Sequence, residues 1–387
     1  MTAQQMKSRR RSVAVAALLT LVLVTAGVAV PGSPGRPGDG PVGALHGFAA
    51  RVQFAPRCPL VEGDFGPGRW PSACWRPYSD NSPFNRPLPP SPRVAADSDR
   101  VVARMLGFGP LQHLVAGEAE KKLDYGHPTY WSQPDDPWFT LHCLKPWGTC
   151  QLEGERIQIP DAAKVPRGPD GHMTVVDQRS GWEYDFWQVR SKPSGGGVLA
   201  FSWGGKTRID GEGIDVDANA ARFGEMAGLI RAEELEAGYI DHALFLFVDC
   251  DSGGYVYPAS KTGRACSSLG RSDVDAPPMG ALFQLDMSDA EIDALDAPTW
   301  RKAIFRAMAH YGMYVGDTGG TWGLKTEGGI TYTSFGYEDK YVEFAKKVGV
   351  PYEPQADRWV FDVRDGIDWQ SRLRMIDPCE VSDSCAP

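Results

Sequence analysis

The sequence predicts a mainly β fold, a β-sandwich or jelly roll with helical insertions, stapled by disulfides. Three observations carry this expectation. Short runs rich in Val, Phe, Tyr and Trp recur along residues 173–285, separated by Gly-, Pro- and Asp-rich turns, as many short strands require. Only a few stretches carry helical spacing. The eight cysteines fall as four close pairs, Cys58/Cys74, Cys143/Cys150, Cys250/Cys266 and Cys379/Cys385. Each pair brackets a turn-rich segment, which favours local bridges, although sequence alone does not fix the connectivity.

The elements follow in order. A cationic patch (Lys7, Arg9, Arg10, Arg11) precedes an apolar run over 13–30 that ends in small residues and a Pro/Gly stretch. This is the layout of a secretory signal peptide, assigned to 1–29. An uncleaved anchor is the alternative, since the run is at the ~18-residue lower limit for spanning a bilayer. Residues 30–55 read as a Pro/Gly-rich linker, and 56–387 as one secreted β-rich domain. Within it, 58–92 is dense in Pro, Asn and Asp and reads as loop or extended chain. A helix is expected over 98–106, where Val101, Val102, Met105 and Leu106 share a face. A strand and turn follow over 152–165, then strands over 173–176, 182–189, 198–203, 243–248, 255–257 and 281–285. Helices are expected over 218–231 with Asp217 as N-cap, over 299–311 before Gly312, and over 338–348 before Gly349.

Charge excludes some partners. The formal net charge is −9, and loss of 1–29 removes four cations and no acid, leaving −13. No Lys/Arg-rich run survives in the exported domain, so it lacks the basic footprint that nucleic acid or an anionic membrane face demands. Export also places the domain where thiols oxidise. Twelve tryptophans and 11% aromatic residues serve core packing in the main, with a few available to stack on sugar rings. Oligomeric state is left open by the sequence.

The sharpest local pattern is Gly171-His172-Met173-Thr174-Val175-Val176-Asp177, a turn, and Trp182-Glu183-Tyr184-Asp185-Phe186-Trp187. A hairpin turning at 178–181 would pair Asp177 with Trp182, Val176 with Glu183, Thr174 with Asp185 and His172 with Trp187. Strand alternation then puts His172, Thr174, Glu183, Asp185 and Trp187 on one face and the apolar Met173, Val175, Tyr184 and Phe186 on the other. An imidazole, two carboxylates, a hydroxyl and an indole together suit the floor of a sugar-binding cleft. A merely solvated sheet face is the plain alternative.

Other patterns carry less. Asp215, Asp217 and Asn219 open like a calcium loop, but Ala220 and Met226 stand where that loop needs Gly and Glu. Asp251-Ser252-Gly253 and Asp317-Thr318-Gly319 resemble the aspartic-protease signature without matching flanks; Asp251 reads as a turn residue, Asp317 as the edge of a site. None of the seven histidines, including the loop residues His127 and His142, makes an H-x-H or HExxH pattern, so no metal ligands and no cofactor are assigned. No G-x-S-x-G or Walker motif is present, and no dinucleotide fingerprint stands between a strand and a helix.

The run 170–177 with Tyr184-Asp185-Phe186-Trp187, Asp241-His242-Ala243-Leu244, Pro277-Pro278-Met279-Gly280 and Tyr311-Gly312-Met313 with Asp317 resembles a group of secreted actinobacterial and fungal proteins, mostly of uncharacterised function. The resemblance spans residues of about 80–335 as a motif set. It implies one large sandwich-like domain and no particular substrate.

The expectation for function is a secreted glycoside hydrolase acting on a polysaccharide through carboxylate acid/base chemistry. Asp185 and Glu183 are the leading carboxylates, with His172 and Asp317 as further catalytic candidates and Trp187, Thr174 and Asp215 as substrate-binding candidates; Asp215 or Asp317 could also supply the second carboxylate. The alternatives are a polysaccharide lyase, with His172 or Tyr184 as base and Arg and Gln neutralising a uronate, and a non-catalytic glycan- or envelope-binding protein.

Overall fold

Among the described residues, strand-forming runs collect into three sheets. The computed structural model describes residues 58, 60, 61, 63–117 and 125–382; the expected signal peptide (1–29) and linker (30–55) lie outside them. A six-stranded sheet runs in the order Thr129–Trp131, Met173–Asp177, Trp182–Ser191, Gly197–Arg208, Trp138–Cys143, Arg156–Gln158. A five-stranded sheet runs Trp322–Leu324, Leu244–Val248, Met313–Thr318, Leu282–Leu285, Leu373–Met375. Leu114–Ala116, Arg358–Phe361 and Tyr352–Glu353 make the third. Parallel pairs occur at Thr129–Trp131 with Met173–Asp177, at Trp138–Cys143 with Gly197–Arg208, and at Leu244–Val248 with Met313–Thr318. The fold is thus mainly β with helices inserted between strands.

Period-two alternation builds two cores on the six-stranded sheet. One face contributes Tyr130, Phe139, Met173, Val175, Phe186 and Phe201 to a cluster closed by Leu152, Ile157 and Ile159. On the other face, Trp131 and Val176 join a larger cluster with Phe245, Leu246, Met313 and Tyr314 of the five-stranded sheet. Cys58–Cys74, Cys143–Cys150 and Cys250–Cys266 are bridged as expected. Cys379 is also disulfide-bonded, while Cys385 lies outside the described residues. A bridge closing about 15 residues removes roughly 3 kcal/mol of unfolded-chain entropy.

Three helices form where the spacing predicts them: Ser98–Leu106, Thr299–His310 ahead of Gly312 (φ +80°), and Lys340–Val348 ending on Gly349 (φ +74°). The helix expected over 218–231 does not form; the helix there is Ala232–Ala237. The reason is tertiary. Ala221 N donates to Gly316 O, Gly224 N to Gly213 O and Ile230 N to Lys325 O, so the segment spends its backbone donors on distant chain. Arg222 and Gly228 take left-handed conformations (both φ +65°), and a Cβ on Gly228 would sit 2.3 Å from Phe245 N. Residues 255–257 form no strand beyond a Tyr255–Met279 bridge. Asp251 is therefore not in a hairpin turn: buried, it accepts from Gly253 N, Gly263 N and Thr262 Oγ1 and ties a loop together.

Candidate functional site

The hairpin forms in the expected register: Asp177↔Trp182, Val176↔Glu183, Thr174↔Asp185, ending at Met173↔Phe186. Asp177 secures the turn by accepting from Arg179 N and Ser180 Oγ, and Gly181 adopts φ +71°. The face carrying Thr174, Glu183 and Asp185 is covered rather than open. Tyr78 Oη donates to Glu183 Oε2 (2.8 Å) and Met226 N to Oε1 (3.0 Å). Thr174 Oγ1 donates to Asp185 Oδ1 (2.7 Å) and Glu225 N to Oδ2 (3.1 Å). Both carboxyls are fully buried (0% exposed). Burial first, then the Glu183 and Glu225 charges, push Asp185 well above the usual carboxylate range, and burial pushes Glu183 up as well. The unwound chain at 224–226 explains itself here. Inside a helix, the N–H groups of Glu225 and Met226 would be spent on carbonyls four residues back.

Held by that turn, the Glu225 side chain meets a second set of groups. Thr129 pairs in parallel with Thr174, so the two strands bring His127 and His172, each two residues upstream, side by side with ring centroids 4.2 Å apart. His127 Nδ1 lies 2.9 Å from Glu225 Oε2 and His172 Nδ1 3.8 Å from Oε1. Lys325, buried at the end of the Trp322–Leu324 strand, pairs with Glu225 Oε2. Burial resists ionisation of Glu225, but the Lys325 charge outweighs it and holds the carboxyl well below its ordinary range. Burial pushes His172 down to about 3, with His127 and Lys325 adding to the effect, and burial lowers His127 too. Both imidazoles are therefore neutral at physiological pH.

His127, His172 and Lys325 open onto a cavity of about 1020 Å³ whose wall also includes Asp170, Asp317 and Glu327. Asp317 sits on a strand that slips register between Val315 and Asp317. Half-buried, its carboxyl accepts from Thr318 N (2.7 Å). Enclosure pushes it up to about 6 against that bond, with the Glu225 charge adding to the rise.

Of the residues expected to form a site, His172 and Asp317 share this wall. Glu183, Asp185 and Thr174 lie beneath it and do not line the cavity. Trp187 stacks instead on Trp147 (centroids 5.7 Å, 25° between planes), and Trp147 also meets Trp203. The ladder that would set His172 against Trp187 stops one pair short, where Gln188 takes φ +55°. Asp215 (φ +60°) accepts from Ser260 Oγ on the surface, away from the cavity. His127, Lys325, Asp170 and Glu327 on the wall, and Glu225 buried behind it, are the residues that spacing did not single out. Only Asp170 carried a signal, in the run ahead of His172.

No protein-family model, curated protein or solved structure matches the chain. The chemistry of the cavity therefore carries the functional reading.

Proposed function

We propose that the chain is a carbohydrate-active enzyme that hydrolyses a polysaccharide in this cavity, with Asp317 as proton donor. One observation carries the reading: a carboxyl raised to about 6 on the wall of a 1020 Å³ cavity, among other carboxylates. Glycosidic cleavage needs an acid still protonated at working pH and a second, ionised carboxylate. Asp170, on the same wall and felt electrostatically by Asp317, is the second group. The neutral His172 offers a hydrogen-bonding nitrogen to sugar hydroxyls. The Trp147, Trp187 and Trp203 cluster supports glycan contact outside the cavity.

A lyase reading has its own support, because Lys325, Arg358, Arg364 and Gln112 also line the cavity and suit a uronate carboxylate. Its base would be His172, since Tyr184 belongs to the core on the other face of the hairpin. A base whose conjugate acid dissociates near 3 is a weak acceptor of a carbon-bound proton, so hydrolysis is preferred. The test is a polysaccharide panel treated with the mature chain. Hydrolysis releases reducing ends without new ultraviolet absorbance and is lost in Asp317→Asn. An ultraviolet-absorbing unsaturated product would establish the lyase, and glycan binding without products a binding protein.

A further inference from the structure

We propose that His127, His172 and Glu225 form a binding site for a divalent transition-metal ion of the zinc class, open to the cavity. One nitrogen from each histidine and a carboxylate oxygen all lie within 4.8 Å of one another. In a tetrahedral site with ligands about 2.1 Å from the ion, ligand atoms stand about 3.4 Å apart. The shortest approaches, 2.9 Å from His127 Nδ1 to Glu225 Oε2 and 3.8 Å from His172 Nδ1 to Oε1, lie either side of that figure, each to a different oxygen of the carboxylate.

The second observation is independent of spacing. The Nδ1 atoms of His127 and His172 are both buried without a hydrogen-bond partner, and His172 is only 9% exposed. The 2.9 Å approach of His127 to Glu225 lacks hydrogen-bond geometry. Buried polar atoms of native proteins are almost always paired. Two imidazole nitrogens and a carboxylate that converge without bonding one another are arranged as ligands of a common centre.

The donor set selects the ion. Two nitrogens and one carboxylate suit zinc and its neighbours, whereas calcium and magnesium prefer oxygen throughout. Three protein ligands beside a cavity leave a coordination position free for water or a substrate oxygen. The carboxylate is held from outside the set: Asn219 Nδ2 donates to Glu225 Oε1 (3.3 Å), and Lys325 contacts Oε2. Lys325 supplies the compensating charge in the absence of an ion, so it competes with one. All described cysteines are bonded, which leaves no thiol among the described residues to take the metal instead.

The test is calorimetric titration of the chelator-stripped mature protein with zinc sulfate. One ion per chain should bind, and His127→Gln and His172→Gln should each weaken it at least tenfold. His310→Gln, at a surface histidine paired with Asp289, should leave affinity unchanged, and Lys325→Met should strengthen it. Zinc X-ray absorption of the loaded wild-type protein should show two imidazoles and oxygen. This spectrum decides the matter if a variant does not fold. Absence of saturable binding, retention of full affinity in both histidine variants, or a spectrum without imidazole overturns the proposal. Each readout is independent of glycan cleavage, so either reading can fail alone.

Discussion

His127 and His172 lie 45 positions apart in the chain, yet their rings are 4.2 Å apart because two parallel strands start in register just beyond them. The pairing of Thr129 with Thr174 is therefore as much part of the site as the imidazoles. It also fixes where Glu225 must reach, since the turn at 224–226 is pinned to the same hairpin through Asp185 and Glu183.

Asp317 sets a pH dependence. With its carboxyl raised to about 6, the donor form exists below that pH and is lost above it. The kcat/KM profile for polysaccharide cleavage should fall on its alkaline side near pH 6. Asp317→Asn should reduce kcat by at least about a hundredfold, the scale of a lost general acid, with glycan binding retained. Full activity in that variant would remove Asp317 from the chemistry.

Asp185 supports rather than touches the cavity, and its variants should report stability. Asp185→Ala strands the Glu225 N–H and the Thr174 hydroxyl, both buried. An unpaired buried group costs about 1–3 kcal/mol, so urea unfolding should show a loss of roughly 2–6 kcal/mol in total. A variant that unfolds like wild type would place water or substrate on this carboxyl.

Legibility followed the range of the interactions. The hairpin register was written in local alternation and in the Gln178–Gly181 turn, and the 98–106 helix in a single apolar face. Glu225 was hidden because its segment has helical composition, while its geometry is dictated by distant partners such as Gly316, Gly213 and Lys325. His127 was hidden because its neighbour is brought by a parallel pairing with no turn to announce it. Glu183 and Asp185 were legible as an unusual polar face. Whether Tyr78 and Met226 would cover that face depended on chain more than 40 residues away on either side.

Trp147 tests the aromatic cluster. It is 59% exposed and held mainly by Trp187 and Trp203, so Trp147→Ala should change stability by no more than about 0.5 kcal/mol. If the cluster stacks on sugar, glycan binding should weaken roughly fivefold, the equivalent of about 1 kcal/mol. Trp187→Ala should cost more stability, being half-buried. Unchanged affinity across glycans in both variants would leave the cluster as packing.

Glu327 gives a stability signature separate from catalysis. Its carboxyl accepts from Tyr332 Oη (2.7 Å) and Thr331 Oγ1 (3.3 Å), while Tyr332 also reaches Glu233. Burial first, then the Glu233 charge, raise it from 4.5 to about 8. The folded chain thus binds a proton that the unfolded chain releases near pH 4.5. Its contribution is full below pH 4.5 and is progressively lost as pH rises to about 8. The limiting slope for one proton is about 1.4 kcal/mol per pH unit. Chemical denaturation of wild type and Glu327→Gln from pH 5 to 8 should show the wild type losing more stability across that range, because the amide keeps the neutral form throughout. Parallel pH dependence in the two proteins would mean that Glu327 is already ionised in the fold.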